Sequence, residues 1–173
     1  MDLDTTWSFK IQEVKLGDHI MFSSSSLIDT VLVNSYKGFM FQTKSQETAQ
    51  RLTAYLKNTF ENITTHTDNG VVSSMFLDQT CDQVLQAMKS KEQFLTLVTQ
   101  YDTGHTLSFD AKDLFYNSPD GKATCLFGFT ILLGDIYEQD RLILGQSFLS
   151  KYNVSMNFDK QTIGLEGALL PPP

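Results

Sequence analysis

The sequence predicts a single, mostly β domain with one or two short helices. Segments in which apolar and polar residues alternate recur between turn residues such as Gly17-Asp18, and this pattern is typical of strands joined by hairpins. Hydrophobic residues make up 41% of the 173 residues and charged residues 19%, so the chain can bury a core and disorder is not expected. No linker, repeat or low-complexity block divides the chain, which favours one domain.

The strand predictions rest on alternation with period two, or on short apolar runs bounded by turn residues. Gly17-Asp18 is predicted to turn the first hairpin, and residues 159–162 the last. In order along the chain, the predicted strands are 7–11, 14–20, 27–28, 94–101, 106–109, 127–133, 142–145, 154–158 and 163–165.

One helix is predicted over residues 43–60. Either Thr43 with Gln46, in a capping box, or Ser45 would cap its start. Its apolar residues recur at spacings of three and four on one face, and they are Ala49, Leu52, Leu56 and Phe60. Shorter helical segments are predicted at 82–88 and 146–152.

The chain is acidic, with 13 Lys and Arg against 20 Asp and Glu and a formal net charge of −7. Because it has no basic stripe, it is not expected to bind nucleic acid or an anionic membrane surface. No apolar run approaches the roughly 20 residues of a spanning helix, and the first residues lack the features of a signal peptide. The chain is therefore expected to stay inside the cell or to be part of a longer secreted protein.

Few residues suggest metal, redox or cofactor chemistry. Cys81 and Cys125 are the two cysteines, and the sequence alone leaves open whether they form one bridge or two free thiols. His19, His66 and His105 are far apart and show no metal-ligand spacing. Gly-x-Gly-x-x-Gly, phosphate-loop and Gly-x-Ser-x-Gly motifs are absent from the sequence, which leaves aspartates as the candidate catalytic residues.

Two Asn-x-Ser/Thr triplets begin at Asn62 and Asn153. Such triplets accept N-linked glycans only on the surface of secreted proteins. Such triplets also arise often by chance, so neither is expected to be modified on the sequence alone; the polar segment around Asn62 makes it the better candidate, and the predicted buried strand beside Asn153 disfavours that site.

Two aspartates are each followed by threonine, at Asp29-Thr30 and at Asp102-Thr103-Gly104. Asp29 follows the apolar pair Leu27-Ile28, so it can lie half-buried at the end of a strand. Two carboxylates about 3 Å apart cannot both ionise; they share a proton and can activate a water molecule. This chain would have to supply both carboxylates or use one from a partner.

The C-terminal part of the sequence resembles the end of a pepsin-like aspartic peptidase. The resemblance rests on the run 142–152, on Phe158-Asp159 and on Ile163-Gly164-Leu165. Residues 7–11 and 14–18 are similar to the first hairpin of that family's C-terminal lobe. Asp29-Thr30 then falls where the lobe has its Asp-Thr-Gly loop. Cys81 and Cys125 fall where the lobe has a disulfide, so the resemblance covers about residues 7 to 167.

This resemblance implies a pepsin-like C-terminal lobe of closed, orthogonal, barrel-like sheets at 7–168. An extension at 1–6 would precede it, and a proline-rich tail at 169–173 would follow it. It also implies a bridge between Cys81 and Cys125, a position for Leu144-Gly145 close to the Asp29 loop, and secretion or a vacuolar or lysosomal location. No metal and no organic cofactor would be needed.

The resemblance favours Asp29 and Thr30 as the catalytic pair, although Asp102-Thr103-Gly104 carries the family's letters. Gln100-Tyr101 precedes Asp102 where apolar residues are expected, and Asp-Thr-Gly is also good turn chemistry. After Asp29, however, Val31 replaces the glycine and Leu32 replaces the Ser or Thr of the family pattern. Leu32 cannot donate a hydrogen bond to the carboxylate, and losing such a bond costs on the order of 1.5–3 kcal/mol.

Three functions are compatible with these residues. The chain could be the C-terminal lobe of an aspartic endopeptidase and contribute one of its two catalytic aspartates. Together with an N-terminal lobe that is missing here it would cleave extended peptides, and alone it would be inactive. Alternatively, it could be a non-catalytic module that binds a peptide or protein partner, as Val31 and Leu32 favour. A homodimer that pairs two Asp29 residues is a weaker third alternative.

Overall fold

The computed structural model describes residues 8–59, 63–68, 71–88, 94–99, 106–118, 124–134, 139–160 and 162–167. Trp7, the extension 1–6, the Asp102 turn and the proline-rich tail lie outside these residues, so the predicted domain boundaries stay predictions. Within the described ranges the strands are β1 (Ser8–Leu16), β2 (His19–Leu32), β3 (Phe39–Thr43), β4 (Ile63–Asp68), β5 (Val71–Leu77), β6 (Leu95–Thr99), β7 (Thr106–Phe109), β8 (Phe115–Asn117), β9 (Cys125–Phe127), β10 (Phe129–Leu133), β11 (Arg141–Leu144), β12 (Tyr152–Asn157) and β13 (Thr162–Gly167). The helices are α1 (Gln46–Thr59), α2 (Cys81–Ala87), α3 (Ala111–Leu114) and α4 (Gln146–Lys151).

Most strands belong to one large sheet, in the order β7-β6-β1-β2-β11-β3-β10-β5-β9-β8, with β4 added beside β5. The mostly β prediction is confirmed. The predicted closed barrel was wrong, because the described strands form an open sheet whose edge strands are β7 and β8. The described ranges also contain four helices, where one or two were predicted. α3 is a single turn of four residues, too short to leave a periodic pattern in the sequence.

The order of the central strands decides where a site can form. β11 lies between β2, to which it is parallel, and β3, to which it is antiparallel. The segment that joins β2 to β3, residues 33–38, therefore has to cross the end of β11. We call this segment the crossing loop.

The first hairpin forms as the sequence predicts. β1 and β2 pair antiparallel around Gly17-Asp18, and Leu16 is opposite His19. Gly17 has a φ of 58°, a left-handed conformation that glycine adopts without steric cost in two-residue hairpin turns. A bulge in β1 between Ile11 and Glu13 shifts its register against both β2 and β6.

Ser45 caps α1, which confirms one of the two predicted caps. The Thr48 amide donates to Ser45 Oγ at 3.1 Å, and the Ala49 amide donates to the Ser45 carbonyl at 3.0 Å. Thr43 ends β3 and is buried, and its Oγ1 accepts from the Ser45 amide at 3.0 Å. The predicted start at Thr43 was therefore wrong, since that residue belongs to the strand before the helix.

The cysteines form the disulfide that the family resemblance implies. Cys81 and Cys125 are bonded, with their Cα atoms 4.8 Å apart. Cys81 begins α2 and Cys125 begins β9, which pairs with β5. The bridge therefore ties a surface helix to the main sheet.

The last two strands form a separate hairpin. β12 and β13 pair only with each other among the described strands. One face is apolar and packs partly on the core, through Tyr152, Val154, Ile163 and Leu165. The other face is exposed and polar, and it carries Asn153, Ser155, Asn157 and Glu166.

Candidate functional site

Asp29 lies inside β2, where sequence analysis expected a loop. Its cross-strand neighbours are Lys10 on β1 and Arg141 on β11. The carboxylate accepts hydrogen bonds from Lys10 Nζ and Gln139 Nε2, and it is 20% exposed. Its immediate partners are thus donors on this chain, and its catalytic role stays a prediction.

Thr30 points into the core. It is fully buried, between Phe9 on β1 and Leu142 on β11 in the sheet register. Its Oγ1 finds no hydrogen-bond partner among the residues that the structure describes. A buried hydroxyl without a partner costs about 1–3 kcal/mol of desolvation.

We expect Thr30→Val to stabilise the protein by about 1 kcal/mol, because valine keeps the shape of threonine and removes the unpaired hydroxyl. Urea unfolding measures the change. Thr130→Val is the matched control: Thr130 is also buried, but its Oγ1 shares a 2.6 Å hydrogen bond with the Tyr36 hydroxyl, so this change should destabilise. A loss of stability in Thr30→Val would mean that the hydroxyl has a partner that the described residues do not include.

Val31 and Leu32 continue the strand beyond Thr30. Val31 is opposite Ser8 on β1 and Ile143 on β11, and Leu32 is opposite Leu144. A β-branched valine suits this extended backbone, so no tight loop forms at 29–33. The chain leaves the sheet one residue later, where the Val33 amide donates to the Leu144 carbonyl at 2.9 Å.

The crossing loop holds the start of α4 through its carbonyl groups. The amides of Gly145, Gln146 and Ser147 donate to the carbonyls of Gly38, Tyr36 and Lys37 at 2.7 to 2.9 Å. The side chains of Gln146 and Ser147 add bonds to the carbonyls of Asn34 and Lys37, at 2.9 and 2.8 Å. The loop thereby satisfies amides that the first turn of a helix leaves unpaired.

Gly145 is the point of closest approach between loop and helix. A Cβ atom there would lie 2.2 Å from the Tyr36 carbonyl oxygen and 2.5 Å from that of Gly38. Leu144-Gly145 was expected beside the Asp29 loop, and β11 does run beside the Asp29 segment. Gly145 itself, however, packs on residues 36–38, beyond the C-terminal end of β2.

The side chains of the crossing loop include no carboxylate; the loop reads Val33-Asn34-Ser35-Tyr36-Lys37-Gly38. Burial raises the pKa of Tyr36, which outweighs the opposite effect of its hydrogen bond to Thr130, so the phenol stays neutral at acid and neutral pH. Lys37 Nζ lies 4.2 Å from the centre of the Tyr116 ring, a cation–π contact. The crossing loop is not among the site residues predicted from the sequence. Gly145 after β11 and Gly38 before β3 are the signal that could have indicated a close approach of the two segments.

Within the described ranges, no group of three or more His, Cys, Asp or Glu side chains lies close enough to hold a metal ion. No helix in those ranges is both long and apolar enough to cross a membrane.

Comparison with known proteins identifies the family. The chain resembles the crystal structures of basic 7S globulin from soybean (12% identity, TM-score 0.64) and of conglutin gamma, a unique basic 7S globulin from lupine seeds (8% identity, TM-score 0.63). These matches cover 95% and 96% of this chain but 40% and 39% of those chains, so it spans about two fifths of their length and shares their fold over that part. No curated protein sequence matches it significantly. The profile of the eukaryotic aspartyl protease family matches residues 1–168, and the chain therefore belongs to that family.

Proposed function

We propose that this chain is a non-catalytic pepsin-like lobe that docks on a second lobe and binds a protein or peptide partner. The observation that carries the proposal is the composition of the crossing loop. The family resemblance puts the catalytic loop against Leu144-Gly145, and residues 36–38 are the ones that pack on Gly145. Because the whole loop lacks a carboxylate, it has no group that could share a proton with a second aspartate.

The contacts of Asp29 support a structural role for this aspartate. Its partners Lys10 and Gln139 satisfy the carboxylate within the chain, and its position is before the end of β2. Lys10 is 49% exposed, so the ion pair is worth about 0.2–1 kcal/mol, as is usual at a surface. Such a pair helps to hold β1 against β2 and needs no catalytic explanation.

We propose an N-terminal lobe as the docking partner, and the β12–β13 hairpin as the surface that contacts it. The apolar face of the hairpin extends beyond the core, where Met156 is 39% and Phe158 74% exposed. Large apolar side chains exposed together mark interaction sites more often than single ones do. The similar seed globulins are more than twice as long as this chain, which is in keeping with a two-lobed assembly.

A catalytic lobe that uses Asp29 is the second candidate, and membership of the aspartyl protease family favours it. In that case Asp29 would lose its bond from Lys10 and pair with an aspartate of the other lobe. Thr30, whose hydroxyl is buried, could not reach a substrate without movement of β2.

Peptide hydrolysis at acid pH by the full-length gene product separates the two candidates. We expect Asp29→Asn to leave any turnover unchanged, because the proposal gives that carboxylate no chemical role. Asp18→Asn, which removes an exposed carboxylate from the turn of the same hairpin, is the matched control. Turnover that Asp29→Asn abolishes and Asp18→Asn retains would show that the lobe is catalytic, and the proposal would be wrong.

A further inference from the structure

We propose that Asn153 is an N-glycosylation site and carries an N-linked oligosaccharide on the exposed face of the β12–β13 hairpin. The triplet Asn153-Val154-Ser155 has the acceptor pattern, with valine and not proline in the middle. Sequence analysis disfavoured this site because it lies beside apolar residues. In the structure the apolar residue and the acceptor residues lie on opposite faces of the strand: Val154 faces the core, whereas Asn153 and Ser155 are exposed.

The surroundings of Asn153 leave room for a bulky substituent. Its cross-strand neighbour is the exposed Glu166, and the neighbour of Ser155 is Gly164, which has no side chain. Ser155 Oγ donates to the Gly164 carbonyl at 3.4 Å, which keeps the hydroxyl on the same face as Asn153. A glycan is bulky and hydrated, so a folded domain tolerates it only on a polar, solvent-facing surface of this kind.

The disulfide is an independent observation that places the chain where glycans are added. Bridges such as Cys81–Cys125 form and persist in the secretory pathway and outside the cell, and they are rare in the cytosol. Transfer of N-linked oligosaccharides takes place in the same oxidising compartment. A chain that forms this bridge during folding would therefore expose its acceptor triplets to the transferase.

The modification is a group transfer without oxidation or reduction. The amide nitrogen of Asn153 forms a bond to C1 of the first sugar of a lipid-pyrophosphate-linked oligosaccharide. The bond between C1 and the pyrophosphate oxygen breaks, the lipid pyrophosphate leaves with the electron pair, and the amide nitrogen loses one proton. The glycan would lie on the exposed face, whereas the docking surface proposed above is the opposite, apolar face, so the site does not depend on that proposed function.

The test is production of the full chain behind a cleavable signal peptide in eukaryotic cells, with Asn62→Gln as background so that Asn153 is the one remaining acceptor. Peptide N-glycosidase converts a glycosylated asparagine to aspartate, which mass spectrometry detects in the peptide that contains residue 153. We expect this conversion together with a gain in gel mobility. Asn153→Gln and Ser155→Ala should abolish both changes.

Two matched variants complete the test. Asn157→Gln changes another exposed asparagine on the same strand and should leave the mobility shift intact. Ser155→Thr keeps the acceptor pattern and should keep the modification. The test requires protein that has lost its signal peptide and formed the disulfide. The proposal is overturned if residue 153 stays unmodified in such protein, either with the wild-type Ser155 or with Ser155→Thr.

Discussion

Replacing Cys81 and Cys125 together by alanine should lower the free energy of unfolding by about 4 kcal/mol, the chain-entropy value for a loop of this length. The bridge closes a segment with a sequence separation of 44 residues, and it holds α2 against β9. Without the bridge the unfolded chain gains many conformations, whereas the folded chain loses few contacts. Urea unfolding of oxidised wild type and of the double variant measures the difference.

The reduced wild type is the control for the cysteine variant. Both cysteines are buried, so the disulfide should be reduced in mild denaturant, and the protein should then be refolded in the presence of reductant. Reduced wild type and the double variant should then unfold at similar urea concentrations. A difference of under about 1 kcal/mol between the oxidised wild type and the variant would contradict the expectation, since native bridges in small domains usually contribute 2–5 kcal/mol.

Phe148→Ala should cost about 3–5 kcal/mol, the usual range for removing a buried aromatic side chain. Phe148 is fully buried in α4, and its ring centre lies 6.3 Å from that of Phe9, 6.0 Å from Phe109 and 5.3 Å from Tyr152. These rings join β1, β7 and the start of β12. The cavity left by the substitution would therefore weaken the packing of several elements at once. These include the start of α4, which the crossing loop caps.

Phe158→Ala is the matched control, because it removes the same atoms from a side chain that is 74% exposed. Its cost should stay near 0.5 kcal/mol, as for most surface substitutions. Thermal unfolding of both variants beside wild type decides the matter. Similar losses in the two variants would mean that the packing of Phe148 contributes less than its burial indicates.

Local sequence patterns predict many elements because they act over a few residues. Gly17-Asp18 indicates the first hairpin, the spacing in 43–60 indicates α1, and apolar runs indicate β10 and β11. β3 was missed although Phe39, Phe41 and Thr43 alternate as buried residues, because the helix was predicted to begin at Thr43. β4 was missed because three of its six residues are threonine and Ile63 is its one apolar residue, so it shows no alternation. β5 was missed because its two serines stand together between apolar residues, which breaks the alternation.

The sequence by itself determined that this protein is mostly β and of the pepsin type, since ordered motifs over its length resemble that family. The same resemblance implied the bridge between Cys81 and Cys125, which the residues alone left open and the structure confirms. It also pointed to Asp29 through an Asp-Thr pair after two apolar residues. Only the tertiary structure decided that Asp29 lies within a strand beside Lys10, and that residues 36–38 pack on Gly145. The physical reason is that β11 enters between β2 and β3 from about a hundred residues further along the chain, and no local pattern encodes which loop such a distant strand end will contact.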